Sequence, residues 1–195
     1  PFLIPDAELE RPTNGVGIGG DQPWDQLARL DAGSWHSRAY AGEPLPTFEG
    51  IARYCLANRF FLNIEVNPTP GVEAKTGEVV ANHAARLWAG QDVPPLLTSF
   101  RPESLQAALQ AQPQLPRGLL LDTLWNGWFD IAQRLQCAAI VCNHALWDQA
   151  LVEQVRGAGM RCLSYTVNDD WAAQRLIALG TDGIITDRVD LFSPA

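Results

Sequence analysis

A chain of 195 residues, 47% hydrophobic and 18% charged, is long enough to bury one sizeable core, and we expect a single globular domain over residues 1–195. Its net charge is −8, and Lys75 is its only lysine, so no basic stripe suited to a nucleic acid can form. No apolar run approaches the roughly 20 residues of a membrane span. The four cysteines form no CxxC pair, and we interpret them as buried reduced thiols of a cytoplasmic protein.

The first 46 residues differ from the rest of the chain. Phe2, Leu3 and Ile4 could form a strand, but the segment that follows is rich in glycine and proline and too irregular for a βα unit. We predict that residues 1–46 form an insertion or cap over one face of the domain, and that residues 47–195 carry βα repeats.

From residue 47 onward, short apolar runs alternate with amphipathic stretches. The runs are typical of strands buried on both faces. Strands are predicted at residues 61–66, 96–100, 117–121, 138–142, 161–167 and 183–186. Helices are predicted at residues 47–58, 75–89, 102–111, 147–158 and 169–179, the last two ending at Gly159 and Gly180.

This alternation indicates a parallel α/β sheet with two possible layouts, an open doubly wound sheet or a (β/α) barrel. No glycine-rich GxGxxG turn follows a strand, which weakens the nucleotide-binding open sheet. Polar residues instead follow nearly every predicted strand, among them Glu65, Asp122, Asn143 and Asn168. Because a barrel builds its active site at the carboxyl ends of its strands, this pattern favours the barrel.

An ordered series of segments resembles the glycerophosphodiester phosphodiesterases, in particular the short cytoplasmic bacterial type. LERPTNG at residues 9–15 is similar to the family's LERTTNG, and LDAGSW and GEPLPT follow at residues 30–35 and 42–47. NIEV at residues 63–66 resembles the NIEIK strand. TSF at 98–100, YTVN at 165–168 and GIITDR at 183–188 close the series.

The resemblance implies a (β/α)8 TIM-type barrel that needs a divalent cation, Mg²⁺ or Ca²⁺, and hydrolyses small glycerophosphodiesters to sn-glycerol 3-phosphate and an alcohol. It implies that Glu65 is a metal ligand. A carboxylate in an apolar strand is costly unless it is paired or bound to a cation, and a buried ion pair is the structural alternative. Phe100, Tyr165 and Asn168 match positions near the substrate. For the two aromatic residues core packing is an equal alternative, and for Asn168 a helix N-cap is the favoured one.

The chain also departs from the family pattern. The family's HRG strand and ExD strand, which bear the first catalytic histidine and two metal ligands, have no counterpart here, so we expect the barrel to lack its first two strands and the segment to be incomplete at its N-terminus. Pro5 stands where the second catalytic histidine is expected, and Asn67 stands where a phosphate-binding lysine is expected. Asn67 can still hydrogen-bond a phosphate oxygen, but it brings no charge.

Three histidines remain, and none fills the gap by pattern. His36 is expected in the exposed cap, His83 on a helix surface, and His144 near the mouth of the pocket. Two unpaired sheet edges would also permit pairing with another copy, so a homo-oligomer is an open alternative. Three functional hypotheses follow: a metal-dependent phosphodiesterase, an inactive relative or fragment that binds glycerol phosphates or a partner, and, last, another phosphate-binding barrel.

Overall fold

A computed structural model describes residues 1–192. Its sheet contains six parallel strands: β1 (Asn63–Glu65), β2 (Leu96–Ser99), β3 (Arg117–Leu121), β4 (Ala139–Asn143), β5 (Arg161–Tyr165) and β6 (Gly183–Ile184). They lie in the order β1-β2-β3-β4-β5-β6, each paired with the next along the chain. A doubly wound sheet would reverse direction at a switch point, and this sheet does not, so the winding is that of a barrel wall. An eight-stranded closure is not formed by residues 1–192.

Seven α-helices accompany these strands: α1 (Trp24–Leu27), α2 (Phe48–Ala57), α3 (Glu73–Leu87), α4 (Pro102–Ala111), α5 (Trp128–Arg134), α6 (Gln149–Gly157) and α7 (Asp170–Leu179). The sequence correctly predicted α2, α3, α4, α6 and α7, with ends shifted by up to two residues. It missed α5, a seven-residue helix that starts after Gly127, whose φ is 90°. No helix within residues 1–192 is long and apolar enough to cross a bilayer.

The helix ends show why these boundaries fall where they do. The hydroxyl of Thr47 accepts a hydrogen bond from the amide of Gly50 and caps α2. The carboxylates of Asp148 and Asp169 cap α6 and α7 in the same way, by accepting from Leu151 and Ala172. Gly180 ends α7 in the left-handed conformation that favours glycine.

The two faces of the sheet differ in what covers them. Because side chains alternate along a strand, one set of positions faces the helices and the other faces the barrel interior. Leu119, Ile140 and Cys162 pack under the helices in the main core cluster. On the interior side, Leu120 and Val141 are buried in a smaller cluster with Tyr165 at its edge. Asn63 and Glu65 alternate with the buried Ile64, so they lie on this interior side.

Residues 1–46 contain only α1 and two short 3₁₀ helices, Gly19–Asp21 and Arg38–Tyr40. The strand considered for residues 2–4 is reduced to one antiparallel bridge between Phe2 and Thr47. Leu9, Leu27 and Leu45 form a small core of their own. The amide of Leu3 donates to the carbonyl of Pro46 at 2.9 Å, which fastens the start of this segment to the start of α2.

The first strand is shorter than the sequence predicted. Residues 61–66 were expected to form it, but pairing with β2 covers only Asn63–Glu65. Phe61 is 81% exposed, and Phe60 is also exposed, so the apolar run is not a buried strand over its full length. Without a neighbouring strand on its outer edge, β1 has only one partner among the described residues, and its ends lose their regular pairing.

Candidate active site

Glu65 ends β1 on the interior side of the sheet. Its carboxylate makes no hydrogen bond or ion pair with any other residue in the range 1–192, so the ion pair considered as an alternative is not formed among them. The side chain reaches solvent, but the atoms around it displace part of its water, and this desolvation raises the pKa of Glu65 above its usual range. An unpaired carboxylate at the carboxyl end of a barrel strand is suited to bind a cation or a proton donor.

A short segment of the N-terminal region lies beside Glu65. We call residues 3–6 the strap. The side-chain amide of Asn67 donates to the backbone carbonyl of Pro5 at 3.0 Å, although the two residues are 62 positions apart. At the next position, Asp6 is paired with the guanidinium of Arg11 through two hydrogen bonds. Pro5 and Asn67, which the resemblance aligns with a histidine and a lysine of the family, are therefore in direct contact with each other.

Two cavities border the strap, and Glu65 lines both. The larger cavity, about 420 Å³, is walled by apolar side chains that include Pro12 and Trp35 and contains Pro5. The smaller cavity, about 280 Å³, contains Asp6 and Asn67. Leu3, Ile4, Phe48 and Ile64 line both cavities as well. The strap thus divides the space around Glu65 in two.

An aromatic pair stands at the ends of β2 and β5. The rings of Phe100 and Tyr165 meet edge to face, with centroids 5.9 Å apart. The hydroxyl of Tyr165 donates to the carbonyl of Leu121 at 2.9 Å. Desolvation first, and then the negative charges of nearby groups including Asp122 and Glu65, raise the pKa of Tyr165 to about 12. The hydroxyl therefore stays protonated at ordinary pH, and the ring is held as a rigid wall, with Phe100 still 42% exposed.

Asn168 was interpreted as the N-cap of the helix that follows, and that interpretation is wrong. Asp169 caps α7 instead, because its carboxylate is one residue closer to the free amide of Ala172. The amide of Asn168 links the exits of β5 and β6. It donates to the carboxylate of Asp187 at 3.0 Å, and its oxygen accepts from the hydroxyl of Thr186 and from the Asp187 amide.

None of the three histidines lines the two cavities that Glu65 borders. His36 is exposed, as expected, and packs between Trp35 and Tyr40. His83 is half-buried on α3, where desolvation lowers its pKa. His144 follows β4, and its Nδ1 atom is buried without a partner among residues 1–192. Within the same range, no three His, Cys, Asp or Glu side chains are grouped to hold a metal ion.

Asp31 joins two of the segments that resemble the family, LDAGSW and GEPLPT, and this role was not predicted from the sequence. The carboxylate of Asp31 accepts hydrogen bonds from the hydroxyl of Ser34 and from the amides of Ser34, Gly33 and Gly42, which hold its pKa well below its usual range. A Cβ at Gly33 would lie 1.9 Å from the carbonyl oxygen of Tyr40, so only glycine fits there. The Asp-x-Gly-Ser spacing is a recognisable side-chain turn, and it is the signal that could have revealed this role.

The same loop positions Trp35 beside the strap. The indole N–H of Trp35 donates to the carbonyl of Ala32 at 2.8 Å. The guanidinium of Arg11 lies over the indole ring, 5.4 Å from its centroid. Because Arg11 also pairs with Asp6, one residue joins the wall of the larger cavity to the strap. These contacts give the LERPTNG and LDAGSW segments a structural role around Glu65.

The comparisons with known proteins agree with one another. The model of the glycerophosphoryl diester phosphodiesterase family matches residues 1–191. A glycerophosphodiester phosphodiesterase of Bacillus subtilis is 28% identical over 98% of this chain and 70% of its own length. One from Caldanaerobacter subterraneus is 29% identical over 95% of this chain and 75% of its own. A solved phosphodiesterase of Oleispira antarctica, in complex with the product sn-glycerol-3-phosphate, is 28% identical, with a TM-score of 0.86 over 95% of this chain and 75% of that one.

Proposed function

This chain belongs to the glycerophosphoryl diester phosphodiesterase family, and we propose that it hydrolyses small glycerophosphodiesters to sn-glycerol 3-phosphate and an alcohol. The observation that carries this proposal is the carboxylate of Glu65, unpaired among residues 1–192, at the carboxyl end of β1, where it borders both cavities. The likeness to a structure that holds sn-glycerol-3-phosphate supports the choice of product. The family match favours an enzyme over a relative that only binds glycerol phosphates.

We propose that the reaction uses a divalent cation, Mg²⁺ or Ca²⁺, with Glu65 as one of its ligands. Carboxylate oxygens suit both ions, but each ion takes six or more ligands. Residues 1–192 supply no group of three candidate ligand side chains, so the described residues by themselves do not fit a complete site. We therefore propose that Glu65 supplies one anionic oxygen ligand, which would hold the cation beside the substrate phosphate.

Four residues are proposed to form the substrate-binding surface. Asn67 lines the smaller cavity, where its amide can hydrogen-bond a phosphate oxygen. Phe100 and Tyr165 offer an aromatic wall at the ends of β2 and β5. Asn168 joins the residues that follow β5 to those that follow β6, and so supports the carboxyl end of the sheet at the edge away from β1. Pro5 can neither donate nor accept a proton through its side chain, so we assign it no catalytic role.

We also propose a fold type, a cellular location and an oligomeric state for the whole domain. We propose that residues 1–195 form one domain of the (β/α)8 TIM-barrel type that lacks the first two strands, with residues 1–46 as an insertion or cap and residues 47–195 as βα repeats. All four cysteines are free and buried, which supports a reducing compartment and hence a cytoplasmic location. A homo-oligomer is proposed on the basis of the two sheet edges, β1 and β6, that lack an outer partner among the described strands.

The test is hydrolysis of glycerophosphocholine by this chain with Mg²⁺ or Ca²⁺, measured as released sn-glycerol 3-phosphate. Glu65→Gln keeps the size of the side chain and removes its charge. Glu49→Gln is the matched control, because Glu49 is an acidic residue that pairs with Arg53 and Arg86 on the helical side. We expect Glu65→Gln to lose at least about 100-fold in rate, and Glu49→Gln to stay within about twofold.

Two outcomes would contradict the proposal. Turnover that is equal in the parent and in Glu65→Gln would remove Glu65 from the site. Binding of sn-glycerol 3-phosphate without any turnover of glycerophosphocholine would instead support the second hypothesis, a non-hydrolysing relative. In that case Pro5→His, which returns a proton-transfer group to the strap, is the next variant to measure.

A further inference from the structure

The strap is weakly held by its own backbone. Upstream, the amide of Leu3 donates to Pro46, and downstream the carbonyl of Ala7 accepts from Gly19 at 2.9 Å. Between these two points, residues 4–6 make no backbone–backbone hydrogen bond within the part of the chain that the structure describes. Pro5 has no N–H to donate, so its carbonyl is the only backbone group through which it can be anchored.

Ile4 packs against the small core of residues 1–46, and two side-chain hydrogen-bonding contacts hold residues 5 and 6. One is the bidentate Arg11–Asp6 pair, which joins two residues of the same N-terminal segment and so does not attach the strap to the sheet. The other is the hydrogen bond from the Asn67 amide to the Pro5 carbonyl, 3.0 Å long. Asn67 is two residues beyond Glu65, so this bond ties the strap directly to the end of β1 that presents the carboxylate.

We propose that Asn67 is a positioning residue, whose amide fixes the strap at the boundary between the two cavities that share Glu65. The cavity linings support this assignment, since Pro5 borders the larger cavity and Asp6 and Asn67 border the smaller one. Loss of the tie would let residues 4–6 move toward either side and change the shape of both cavities. The functional part of this inference rests on the proposed phosphodiesterase activity, but the structural part does not.

The structural part is tested by amide hydrogen exchange on the full chain without substrate. Asn67→Leu keeps a side chain of similar size and removes the donor. A neutral hydrogen bond of ordinary strength corresponds to about a fivefold change in a local opening equilibrium. We therefore expect the amides of Leu3 and Gly19 to exchange about fivefold faster in Asn67→Leu, and Asn67→Gln, which retains the amide, to recover part of the protection.

Asn58→Leu is the matched control. The side-chain amide of Asn58 also donates to a backbone carbonyl, that of Tyr54 at 2.8 Å, but at the far end of α2. This control is expected to leave exchange at Leu3 and Gly19 within twofold of the parent. If Asn67→Leu also leaves it within twofold, the strap is held by other contacts and the proposal is overturned.

Turnover of glycerophosphocholine gives a second readout. Because the tie shapes cavity walls and leaves the Glu65 carboxylate in place, we expect Asn67→Leu to raise KM about fivefold and to change kcat less than twofold. Asn67 is also proposed to meet the substrate phosphate, so the KM rise is assigned to the strap only when exchange at Leu3 and Gly19 is faster in the same variant. A loss confined to kcat would contradict the positioning role. A parent chain without turnover would refute the proposed function, while the exchange result would still decide whether Asn67 holds the strap.

Discussion

Arg117 is the best site at which to test how the sheet is held together. Its guanidinium is only 3% exposed and donates to four backbone carbonyls, those of Pro113, Leu115, Leu135 and Gln136. These bonds tie the start of β3 to the loop before it and to the end of α5. Burial lowers the pKa of the guanidinium, but the group stays charged, because arginine starts from a very high value.

Arg117→Met keeps the length of the side chain and removes every donor. The hydrogen bonds that the carbonyls of Leu115 and Leu135 accept from Arg117 are buried. In the variant each of these carbonyls would be left without this partner, at a cost of about 1–3 kcal/mol. The contacts with Pro113 and Gln136 are partly buried, so water can replace them. Relief from burying a charge offsets part of the loss. We expect the free energy of unfolding to fall by about 3 kcal/mol, which corresponds to roughly 6–12 °C in Tm for a chain of this size.

The assay is urea and thermal unfolding followed by circular dichroism. Arg161→Met is the matched control, since Arg161 begins β5 as Arg117 begins β3, but its side chain is 76% exposed and makes one surface ion pair with Asp182. That control is expected to lose less than about 1 kcal/mol. Equal losses in the two variants would refute the argument that the buried carbonyl contacts of Arg117 stabilise this end of the sheet.

Three further predictions concern packing, titration and thiol chemistry. A Cβ at Gly77 would lie 2.0 Å from the carbonyl oxygen of Ser104, so Gly77→Ala should lose about 2–3 kcal/mol in urea melts, whereas Gly157→Ala, with open space around it, should be neutral or slightly more stable. Because the pKa of Glu65 is raised in the folded chain, the parent loses stability as pH rises through that pKa. Above that pKa, Glu65→Gln should be more stable than the parent by less than about 1 kcal/mol, since the side chain is partly solvated. Equal stability of the two proteins at every pH would contradict this prediction. Burial raises the pKa of Cys142 to about 12, so Ellman's reagent should label the buried thiols only when denaturant is added, and rapid labelling of the native chain would show the core to be open.

The barrel-like order of the strands could be predicted because its signals are local. Short apolar runs predict strands, a threonine before α2 predicts its start, and a glycine after α7 predicts its end. Each of these signals depends only on residues a few positions away. The ordered segments that resemble the family also predicted that Glu65 is the functional carboxylate at the end of the first strand. The extent of that strand was overestimated, because apolar residues such as Phe61 also occur beside an edge that has no neighbour among the described residues.

The sequence by itself determined the alternation of strands and helices, their order, the family and the position of the carboxylate, since each depends on residues close together in the chain. Only the tertiary structure decided which polar groups are already occupied. Asn67 contacts Pro5 and Arg117 contacts Leu135, and Asn168 joins two strand exits where a local cap had been expected. A hydrogen-bonding side chain takes whichever partner the fold brings within about 3 Å, and no local pattern records a partner that lies tens of residues away.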